Sequence, residues 1–504
     1  MRIRSMGERD LPAVMAIERA SFAAPWSEAQ FRDEIARDDR VWLAAEDETG
    51  AVVGFGGIWV ASDGAHLMDL AVSPNRRGCG TGRALLWALA EAAAQRGAER
   101  VTLEVAQSNR DALGLYLSSG FDVAGVRRGY YAETGDDALV LWSRPIRSHL
   151  AAIAAARERR EMVLAIETSC DETAAAVMRG GCELLSSVVA SQVDFHARFG
   201  GVVPEIASRK HTEAIVGVVD EALEQAGVGF EDLHAVAVTQ GPGLVGTLVV
   251  GLAYAKGLAF ARNLPLVGVN HLEGHLYAAR LHDPALEPPF VALVVSGGHT
   301  MLVHVPEWGR HRVLGRTLDD AAGEAFDKVA KLLGLGYPGG PAISRLAAEG
   351  DPDAIPFPRA MLRSGDLDVS LSGLKTAVLQ YVQRERAAGR ELHLPNIAAS
   401  FQAAVVDVQV AKTVRAATKH GVRSVVMAGG VAANAALREA LRAALAEHDV
   451  RLVVPPMALC TDNAAMIAAV AHDEIVRGRF LGLSVDADPT MHLRGADESR
   501  HVRI

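Results

Sequence analysis

Three apolar segments of the chain each end at a turn rich in glycine and polar residues. The segments are 163–166, 290–295 and 424–428, and the turns that follow are 167–173, 296–300 and 429–434. Glycine after an apolar strand lets the backbone approach a ligand closely. One such turn is common in α/β folds. Three of them, each beside acidic, hydroxyl or amide residues, favour a nucleotide bound between two α/β lobes.

A pair of histidines, His271 and His275, follows another apolar segment and opens a helix-like stretch. On a helix, a spacing of four residues is about 40° of rotation and one turn of rise, so both imidazoles face one way and can bind one metal ion. A zinc protease of the H-E-x-x-H kind is excluded, because Leu272 stands where its glutamate would be and Glu273 faces away. The alternative for the pair alone is two histidines at a chance spacing.

Length and charge limit the remaining classes. A chain of 504 residues predicts two to four domains. Its net charge of −10 gives no general attraction to nucleic acid, so any RNA contact needs a local basic patch. Four cysteines without metal-type or disulfide-type spacing, an N-terminus without an apolar signal segment, and no apolar run near the roughly 20 residues of a membrane span predict a cytoplasmic protein with no membrane contact.

The chain divides near residue 150. Residues 148–161 are rich in alanine and arginine and predict a short polar helix or semi-rigid connector. Met162 then opens a new apolar strand, as if an independent protein began there. We expect domains at 1–147 and 162–495, with 148–161 as a linker and 496–504 as a tail.

In the first segment, a strand at 66–72 leads through a glycine-rich turn at 75–83 into a helical pattern from 84 to 95. Free backbone N–H groups and the helix dipole at such a point make an anion site. The turn is not a P-loop, because no Lys-Ser/Thr pair follows its last glycine. An ordinary helix-start loop is the alternative. A strand at 101–105, Asn109 and a helix that closes at Gly120 complete the pattern.

These motifs resemble the GNAT-fold acetyltransferases and, among them, the ribosomal-protein alanine N-acetyltransferases (RimI). The resemblance rests on the pyrophosphate-type loop 77–82 and on Trp26, Asn109, Tyr116, Gly120-Phe121, 127–131 and 137–139. It implies Glu104 as the general base and Tyr116 as the general acid, roles that suit amine attack on a thioester. Alternatives are a solvent-facing edge-strand carboxylate and a core aromatic. The acetyl-CoA contacts that the resemblance implies are Leu70, Ala71, Val72, Gly78, Cys79, Gly80, Thr81, Gly82, Arg83 and Asn109.

The rest of the chain resembles the ASKHA (actin, sugar kinase, Hsp70) fold and, within it, the TsaD family of tRNA threonylcarbamoyladenosine transferases. The matching motifs lie at 166–173, 200–205, 241–244, 271–275, 295–300, 319–328, 337–341, 370–376 and 460–463. Alanines at 432 and 435 are mild departures from the family pattern. We therefore predict an α/β protein with an N-terminal GNAT fold joined by a short helical linker to a two-lobed ASKHA domain.

The TsaD resemblance implies a set of site residues. His271, His275 and Asp462 would bind one divalent metal ion, described as iron in the family, although the residue types alone do not separate iron from zinc. Asp171 and Glu172 would orient or deprotonate the attacking adenosine amine, with capping of the turn as the alternative. The threonylcarbamoyl-AMP contacts would be Val294, Val295, Ser296, Gly297, Gly298, Asp327, Gly340 and Asn434.

The function predicted by these resemblances is a fusion of two enzymes. One half would transfer the threonylcarbamoyl group of threonylcarbamoyl-AMP to N6 of the adenosine at tRNA position 37. The other would acetylate the N-terminal alanine of a ribosomal protein with acetyl-CoA. The family also implies TsaB-like and TsaE-like partner proteins, and Arg209-Lys210 and Lys375 are candidate tRNA contacts. The alternatives are a nucleotide-binding scaffold or chaperone-type ATPase with a vestigial acetyltransferase domain, and a sugar kinase, which would not need paired histidines.

Overall fold

The computed structural model describes residues 1–62, 64–132 and 134–493, so the predicted tail at 496–504 lies outside the described residues. The N-terminal part is built on a seven-stranded sheet with the strand order β1-β2-β3-β4-β5-β7-β6. Its elements are β1 (Arg2–Ser5), α1 (Leu11–Ser21), α2 (Glu28–Ile35), β2 (Arg40–Glu46), β3 (Val52–Ala61), β4 (Gly64–Val72), α3 (Thr81–Gln95), β5 (Arg100–Ala106), α4 (Arg110–Leu117), β6 (Phe121–Tyr131) and β7 (Asp136–Ser143).

Strands β4 and β5 separate along their length. They run parallel, and their paired residues are Gly64 with Arg100, Ala65 with Val101 and His66 with Thr102. Beyond His66 and Thr102 no further β4–β5 pair is formed among the described residues, whereas β5 continues its pairing with β7 as far as Ala106. The sheet therefore has an open fork between the second half of β4 and the second half of β5, and α3 begins just beyond β4.

The second part of the chain begins with a five-stranded sheet of order β10-β9-β8-β11-β12. Helix α5 (Ile146–Arg157) precedes this sheet. The elements that follow are β8 (Met162–Glu167), β9 (Glu172–Arg179), β10 (Glu183–Ser191), α6 (Val193–His196), α7 (Pro204–Ala226), β11 (Ala235–Gly241), α8 (Val245–Ala261), β12 (Leu266–Asn270) and α9 (His271–His282).

A third sheet has the order β15-β14-β13-β16-β17. Its elements are β13 (Phe290–Val295), β14 (Thr300–Glu307), β15 (Arg310–Arg316), α10 (Ala322–Leu333), α11 (Gly339–Ala347), α12 (Ser372–Ala387), α13 (Leu394–His420), β16 (Ser424–Ala428), α14 (Ala435–Ala446), β17 (Arg451–Val453), α15 (Met457–Cys460) and α16 (Ala464–Val476). Within the part of the chain that is described, no helix is both long and apolar enough to cross a membrane.

The second and third sheets repeat one topology. In each, three consecutive strands form an antiparallel meander, and two later strands add in parallel beside the first of them. Helix α16 returns to the second sheet and packs on α9, β8 and β9. The described chain thus contains two sheets of the same design, in agreement with the prediction of a two-lobed domain.

Helix α5 is not a polar connector, although the predicted helix is present. His149, Ala152, Ile153 and Ala156 on this helix are buried. The helix packs between α3 and α16, and one continuous cluster of buried apolar side chains runs from the seven-stranded sheet through α5 to α16. The two parts of the chain therefore share a core.

The segment after α16 strengthens this contact. Phe480 is 1% exposed, packs edge-on against His149 with ring centroids 4.7 Å apart, and donates its backbone N–H to Ser118 O at 3.1 Å. Trp87 Nε1 donates to Gly478 O at 2.9 Å. The carboxylate of Asp122 accepts from the backbone N–H groups 483 and 484 at 3.0 and 2.8 Å. These bonds satisfy polar groups in an otherwise apolar contact.

We expect Phe480→Ala to lower the free energy of unfolding by about 3–5 kcal/mol, because the substitution leaves a cavity between the two parts of the chain. Urea unfolding of the full chain measures this effect. Phe260→Ala is the control, since Phe260 is 71% exposed and an exposed substitution changes stability by about 0.5 kcal/mol or less. Equal unfolding midpoints for the two variants would show that Phe480 does not join the two parts.

Candidate active sites

The predicted metal ligands meet where strands of the second sheet end. Strands β8, β11 and β12 run parallel, so their carboxyl ends lie at one edge. Helix α9 begins directly after β12, with the Asn270 side chain accepting from the backbone N–H groups of its first turn. Helix α16 begins at Ala464, where Asn463 caps it, and Asp462 is the residue before this cap. Because α9 and α16 pack side by side, their N-terminal ends bring His271, His275 and Asp462 together.

The geometry of this cluster fits one metal ion. Ligand atoms of the three residues all lie within 4.8 Å of one another. The Nε2 atoms of His271 and His275 lie 3.5 and 3.4 Å from Asp462 Oδ1. His275 is fully buried; its Nδ1 has no hydrogen-bond partner among the described residues, and its Nε2 faces the Asp462 carboxylate. Burying an imidazole with an unpaired nitrogen is costly, and two imidazoles with a carboxylate suit a borderline divalent ion.

Glu167 orients His271 from behind. This buried carboxylate lies 3.0 Å from His271 Nδ1 and accepts the Thr239 hydroxyl at 2.6 Å. A carboxylate on Nδ1–H leaves Nε2 as the lone-pair nitrogen that points at the cluster. Burial lowers the pKa of His271, but Asp462 and Glu167 outweigh it and raise that pKa to about 9. The same negative field that holds a proton here attracts a divalent cation.

His299 also faces the cluster. Burial, together with His271 and His275, lowers the pKa of His299 to about 4, so its ring is neutral near pH 7. Burial would raise the pKa of Asp462, but the neighbouring histidines hold it below its ordinary value. Asp462 is therefore an ionised ligand near neutral pH.

The acidic turn Asp171-Glu172 lies between β8 and β9. No helix of the described chain begins there, so a helix-capping role does not apply. Ser191 Oγ donates to Glu172 at 3.1 Å. Burial, followed by the charges of Asp171 and Asp462, raises the pKa of Glu172 to about 9. The turn thus pairs a protonated Glu172 with its neighbour Asp171 near pH 7.

His211 holds this turn from helix α7. Its Nε2 lies 3.0 Å from Cys170 O, and its Nδ1 lies 2.8 Å from Thr173 Oγ1. The two contacts bracket Asp171 and Glu172 along the backbone. Burial lowers the pKa of His211, which leaves a neutral ring able to donate on one side and accept on the other.

The residues predicted to contact the adenylate lie in the lobe built on the third sheet, which strands β13 to β17 form. Val294 and Val295 end β13, and residues 296–299 form a turn closed by Ser296 N–H to His299 O at 2.8 Å. At Gly297, Gly298 and Gly340 an added Cβ would meet no described atom within 4 Å, so these backbones border open space. Nearby, Gly429 has a φ of +91° and packs against Val295, where a Cβ would lie 2.3 Å from the carbonyl oxygen.

Asp327 and Asn434, in the same region, make hydrogen bonds that hold neighbouring backbone and side chains in place. Asp327 accepts the backbone N–H of Gly339 at 2.7 Å, and burial raises its pKa. Asn434 caps α14 through Oδ1, and its Nδ2 donates to Gln402 at 2.7 Å and to Ser344 at 3.0 Å. A nucleotide contact by Asn434 would have to share these hydrogen bonds.

Sequence reasoning did not assign a role to Glu167, His211 or Tyr337. Tyr337 follows α10, and burial together with the charges of Asp171 and Asp327 raises its pKa, which places its hydroxyl near acids from both lobes. Glu167 and Tyr337 belong to motifs that the chain shares with the TsaD family, and this membership is the sequence feature that could have indicated a role for them. His211 gave no signal, because its contact with the turn joins residues 41 apart in sequence.

The fork between β4 and β5 contains Glu104. Its side chain is 12% exposed and lies on an internal strand, so the edge-strand alternative is wrong. Arg127 lies 3.1 Å from one carboxylate oxygen and His66 Nε2 lies 3.1 Å from the other. Tyr116 is 7% exposed, packs on Phe121 and has its pKa raised by burial. It is therefore both a core aromatic and a neutral phenol near the fork.

The predicted acetyl-CoA residues surround the same fork. Leu70, Ala71 and Val72 form the end of β4, and residues 78–82 lead into α3. Gly78 and Gly80 have φ values of 75° and 85°, a conformation that favours glycine. The first four N–H groups of α3 lack intrahelical partners and suit an anion. The Asn109 side chain caps α4 and accepts from Ala112 N–H at 3.2 Å.

The Arg83 side chain points elsewhere. Its guanidinium donates to Ser118 O at 2.6 Å and to Ser119 Oγ at 2.8 Å, next to the contact with the second part of the chain. Only the backbone N–H of Arg83, at the start of α3, is therefore placed to bind an anion such as the predicted cofactor phosphate.

The two lysines predicted to contact tRNA have acidic neighbours. Lys210 pairs with Glu213 at 2.7 Å, and Lys375 pairs with Asp320 at 2.8 Å.

Comparison with known proteins gives two family matches. Residues 183–469 match the family "tRNA N6-adenosine threonylcarbamoyltransferase", and residues 11–121 match the acetyltransferase (GNAT) family. The chain is 56% identical over 331 residues to the tRNA N6-adenosine threonylcarbamoyltransferase of Moorella thermoacetica, covering 66% of this chain and 97% of that one. For the enzyme of the same name from Clostridium perfringens the identity is 52% over 334 residues, covering 66% and 98%.

Among solved structures, the ribosomal-protein-S18-alanine N-acetyltransferase of Escherichia coli is 35% identical, covers 29% of this chain and 93% of that chain, and has a TM-score of 0.27. The ribosomal-protein-alanine N-acetyltransferase of Brucella melitensis is 29% identical, with coverages of 28% and 99% and a TM-score of 0.26. The family matches confirm the predicted order of a GNAT fold followed by a TsaD-type fold. The chain belongs to the tRNA N6-adenosine threonylcarbamoyltransferase family and carries a GNAT acetyltransferase region ahead of the residues that match this family.

Proposed function

We propose that the chain is a bifunctional transferase. Its C-terminal part transfers the threonylcarbamoyl group of threonylcarbamoyl-AMP to N6 of the adenosine at tRNA position 37 and releases AMP. The supporting observation is the meeting of a three-ligand cluster and an acidic turn at one edge of the second sheet, in a chain 52–61% identical to enzymes named for this activity. The domain boundaries 1–147, 148–161 and 162–495 are part of the proposal.

His271, His275 and Asp462 would hold one divalent ion, for which we propose iron. The bound ion supplies positive charge that neutralises the phosphate or carbonyl oxygens of the substrate. The open backbone at Gly297, Gly298 and Gly340 admits the adenylate. Asp171 accepts the proton that the N6 amine loses as its nitrogen bonds to the carbamoyl carbon and the bond from that carbon to the phosphate oxygen breaks.

The N-terminal part acetylates the N-terminal alanine of a ribosomal protein with acetyl-CoA. The pyrophosphate lies at the start of α3, and the acetyl thioester lies in the fork between β4 and β5. Glu104 removes a proton from the α-amine, and Tyr116, a neutral phenol, protonates the leaving thiolate. A scaffold with a vestigial acetyltransferase region would not need Glu104 held between the Arg127 guanidinium and the His66 imidazole in this fork.

Other proteins complete the reaction in this proposal. TsaB-like and TsaE-like partners would bind the tRNA enzyme, and the exposed apolar side chains of Val216, Val245 and Val249 on helices α7 and α8 support a protein contact there. Exposed pairs such as Lys210–Glu213 are worth about 0–1 kcal/mol, so a tRNA phosphate can replace the acidic partner.

Two assays test the proposal. The first follows labelled threonylcarbamoyl from threonylcarbamoyl-AMP into tRNA, with partner proteins supplied, and identifies the modified nucleoside by mass spectrometry. The second follows acetylation of a peptide that begins with alanine. Hydrolysis of ATP or phosphorylation of a sugar, without transfer to tRNA, would favour the scaffold or the sugar kinase instead.

For the acetyltransferase part, we expect Glu104→Gln to reduce kcat by about 10²–10⁴-fold, the range typical of a lost general base. The affinity for acetyl-CoA should stay unchanged, because the start of α3 binds the cofactor. Steady-state kinetics with the alanine peptide and calorimetry with acetyl-CoA measure the two effects. Glu91→Gln on the exposed face of α3 is the matched control. Parent turnover in Glu104→Gln would remove Glu104 from the mechanism.

A further inference from the structure

His66 stands at the point where β4 and β5 separate. It pairs with Thr102 in the last matched position of the two strands, and Glu104 is the next residue on the same face of β5. The His66 side chain is 35% exposed, whereas that of Glu104 is 12% exposed. The imidazole therefore lies between the enclosed carboxylate and solvent.

The hydrogen bonds of His66 fix the location of its protons. Thr102 Oγ1 donates to Ala65 O at 3.3 Å, so this hydroxyl accepts from His66 Nδ1–H, which lies 3.1 Å away. In the neutral ring, Nε2 then carries a lone pair and faces Glu104 Oε2 at 3.1 Å. Two acceptors at this distance repel each other unless a proton lies between them. The pair is therefore built to share one proton.

The other side chains around Glu104 are not suited to accept a proton from its carboxyl group. Arg127 lies against Oε1, and a guanidinium donates hydrogen bonds but has no acceptor atom, so it can hold the carboxylate but cannot take up its proton. Trp59, the cross-strand neighbour of His66 on β3, has no titratable group. Tyr131 interacts with Glu104 electrostatically, and its pKa is raised by burial. Of His66, Arg127, Trp59 and Tyr131, His66 is the side chain suited to accept a proton from Glu104.

We propose that His66 is a positioning and proton-relay residue for Glu104 in the acetyltransferase site, an inference that rests on the proposed acetylation activity. The substrate α-ammonium gives one proton to Glu104, and that proton passes to His66 Nε2 and then to solvent. The free amine attacks the thioester carbon, and the C–S bond breaks as the Tyr116 hydroxyl protonates the leaving thiolate. The second proton that the nitrogen loses as the amide forms returns Tyr116 to the neutral phenol, so one proton is released per acetyl group transferred.

The test compares His66→Ala and His66→Gln in the full chain with the alanine peptide and acetyl-CoA. Glutamine can still donate a hydrogen bond to Glu104 but cannot relay a proton. We expect both variants to lose about 10- to 100-fold in kcat, at or below the lower end of the loss for a general base, with unchanged KM for acetyl-CoA. Added imidazole should restore turnover in His66→Ala and leave Glu104→Gln inactive. His448→Ala, an exposed histidine of the second part, is the control.

Each result has one meaning. Recovery of parent turnover by His66→Gln, or failure of imidazole to restore His66→Ala, would overturn the relay and leave a hydrogen-bonding role. Parent turnover in His66→Ala would overturn both roles. Absence of acetylation by the parent chain with alanine peptides, while acetyl-CoA still binds, would overturn the proposed acetylation itself and with it the relay.

Discussion

Replacing His275 by alanine is expected to remove most of the bound divalent metal and to abolish threonylcarbamoyl transfer. His275 is completely buried, and its Nε2 lies 3.4 Å from Asp462 Oδ1. Without this imidazole, one histidine and one carboxylate remain, too few protein ligands to hold the ion well. Elemental analysis of the purified full chain measures the metal content.

A graded series sharpens this test. Glu167→Gln keeps all three ligands but weakens the support of His271, so its metal affinity should fall by about 10- to 100-fold, less than in the ligand variant. His282→Ala changes an exposed histidine at the far end of the same helix and should keep the parent metal content. Stoichiometric metal in a His271→Ala/His275→Ala double variant would contradict the assignment of the site.

Replacing Asp171 by alanine is expected to reduce threonylcarbamoyl transfer by about 10²-fold or more while nucleotide and tRNA binding persist. Asp171 lies in the acidic turn that His211 brackets, whereas the proposed adenylate contacts lie on loops of the lobe built on the third sheet. Transfer of label from threonylcarbamoyl-AMP to tRNA, with partners supplied, measures the chemical step. Asp194→Asn, a nearby exposed acid, is the matched control. Transfer at the parent rate would leave the turn with a structural role.

Glu172 should behave differently from Asp171. Since burial and the neighbouring acids raise the pKa of Glu172 to about 9, the side chain is protonated at pH 7. Glu172→Gln therefore removes no charge at that pH, and we expect nearly parent activity there. Between its ordinary pKa of 4.5 and about 9, the folded chain holds a proton that the unfolded chain has lost. This group therefore makes the free energy of unfolding decrease as the pH rises through that interval, and the glutamine variant lacks this contribution.

The elements nearest the sites were predictable from the sequence because their signals are local. The apolar runs 290–295 and 424–428 match β13 and β16, since an uninterrupted apolar run bounded by a glycine turn is typical of a buried strand. The spacing of His271 and His275 correctly predicted one helix face, and the structure places Glu273 on the buried opposite side, near His311. The turn predicted at 429–434 is also present: it contains a 3₁₀ turn at Gly430–Ala433, and α14 begins at Ala435 directly after it.

Relations between distant residues were not predictable in this way. The two lobes share one strand order, yet no repeated sequence indicates it, because a buried strand constrains residue size and polarity and not identity. The segment 148–161, rich in alanine and arginine, predicted a short polar helix or semi-rigid connector, because alanine is compatible with either an exposed or a buried position. Its burial depends on α3 and α16, which lie far away in sequence.

The sequence by itself determined which residues are chemically equipped for the two reactions: the paired histidines, the acidic turn, the glycine loops and Glu104. Their motifs are local, and each residue type carries its chemistry with it. Only the tertiary structure decided which groups act on them. Glu167 behind His271, His211 beside the acidic turn and His66 beside Glu104 are contacts between residues 38 or more positions apart. Such contacts depend on strand register and helix packing, which are set by the whole core.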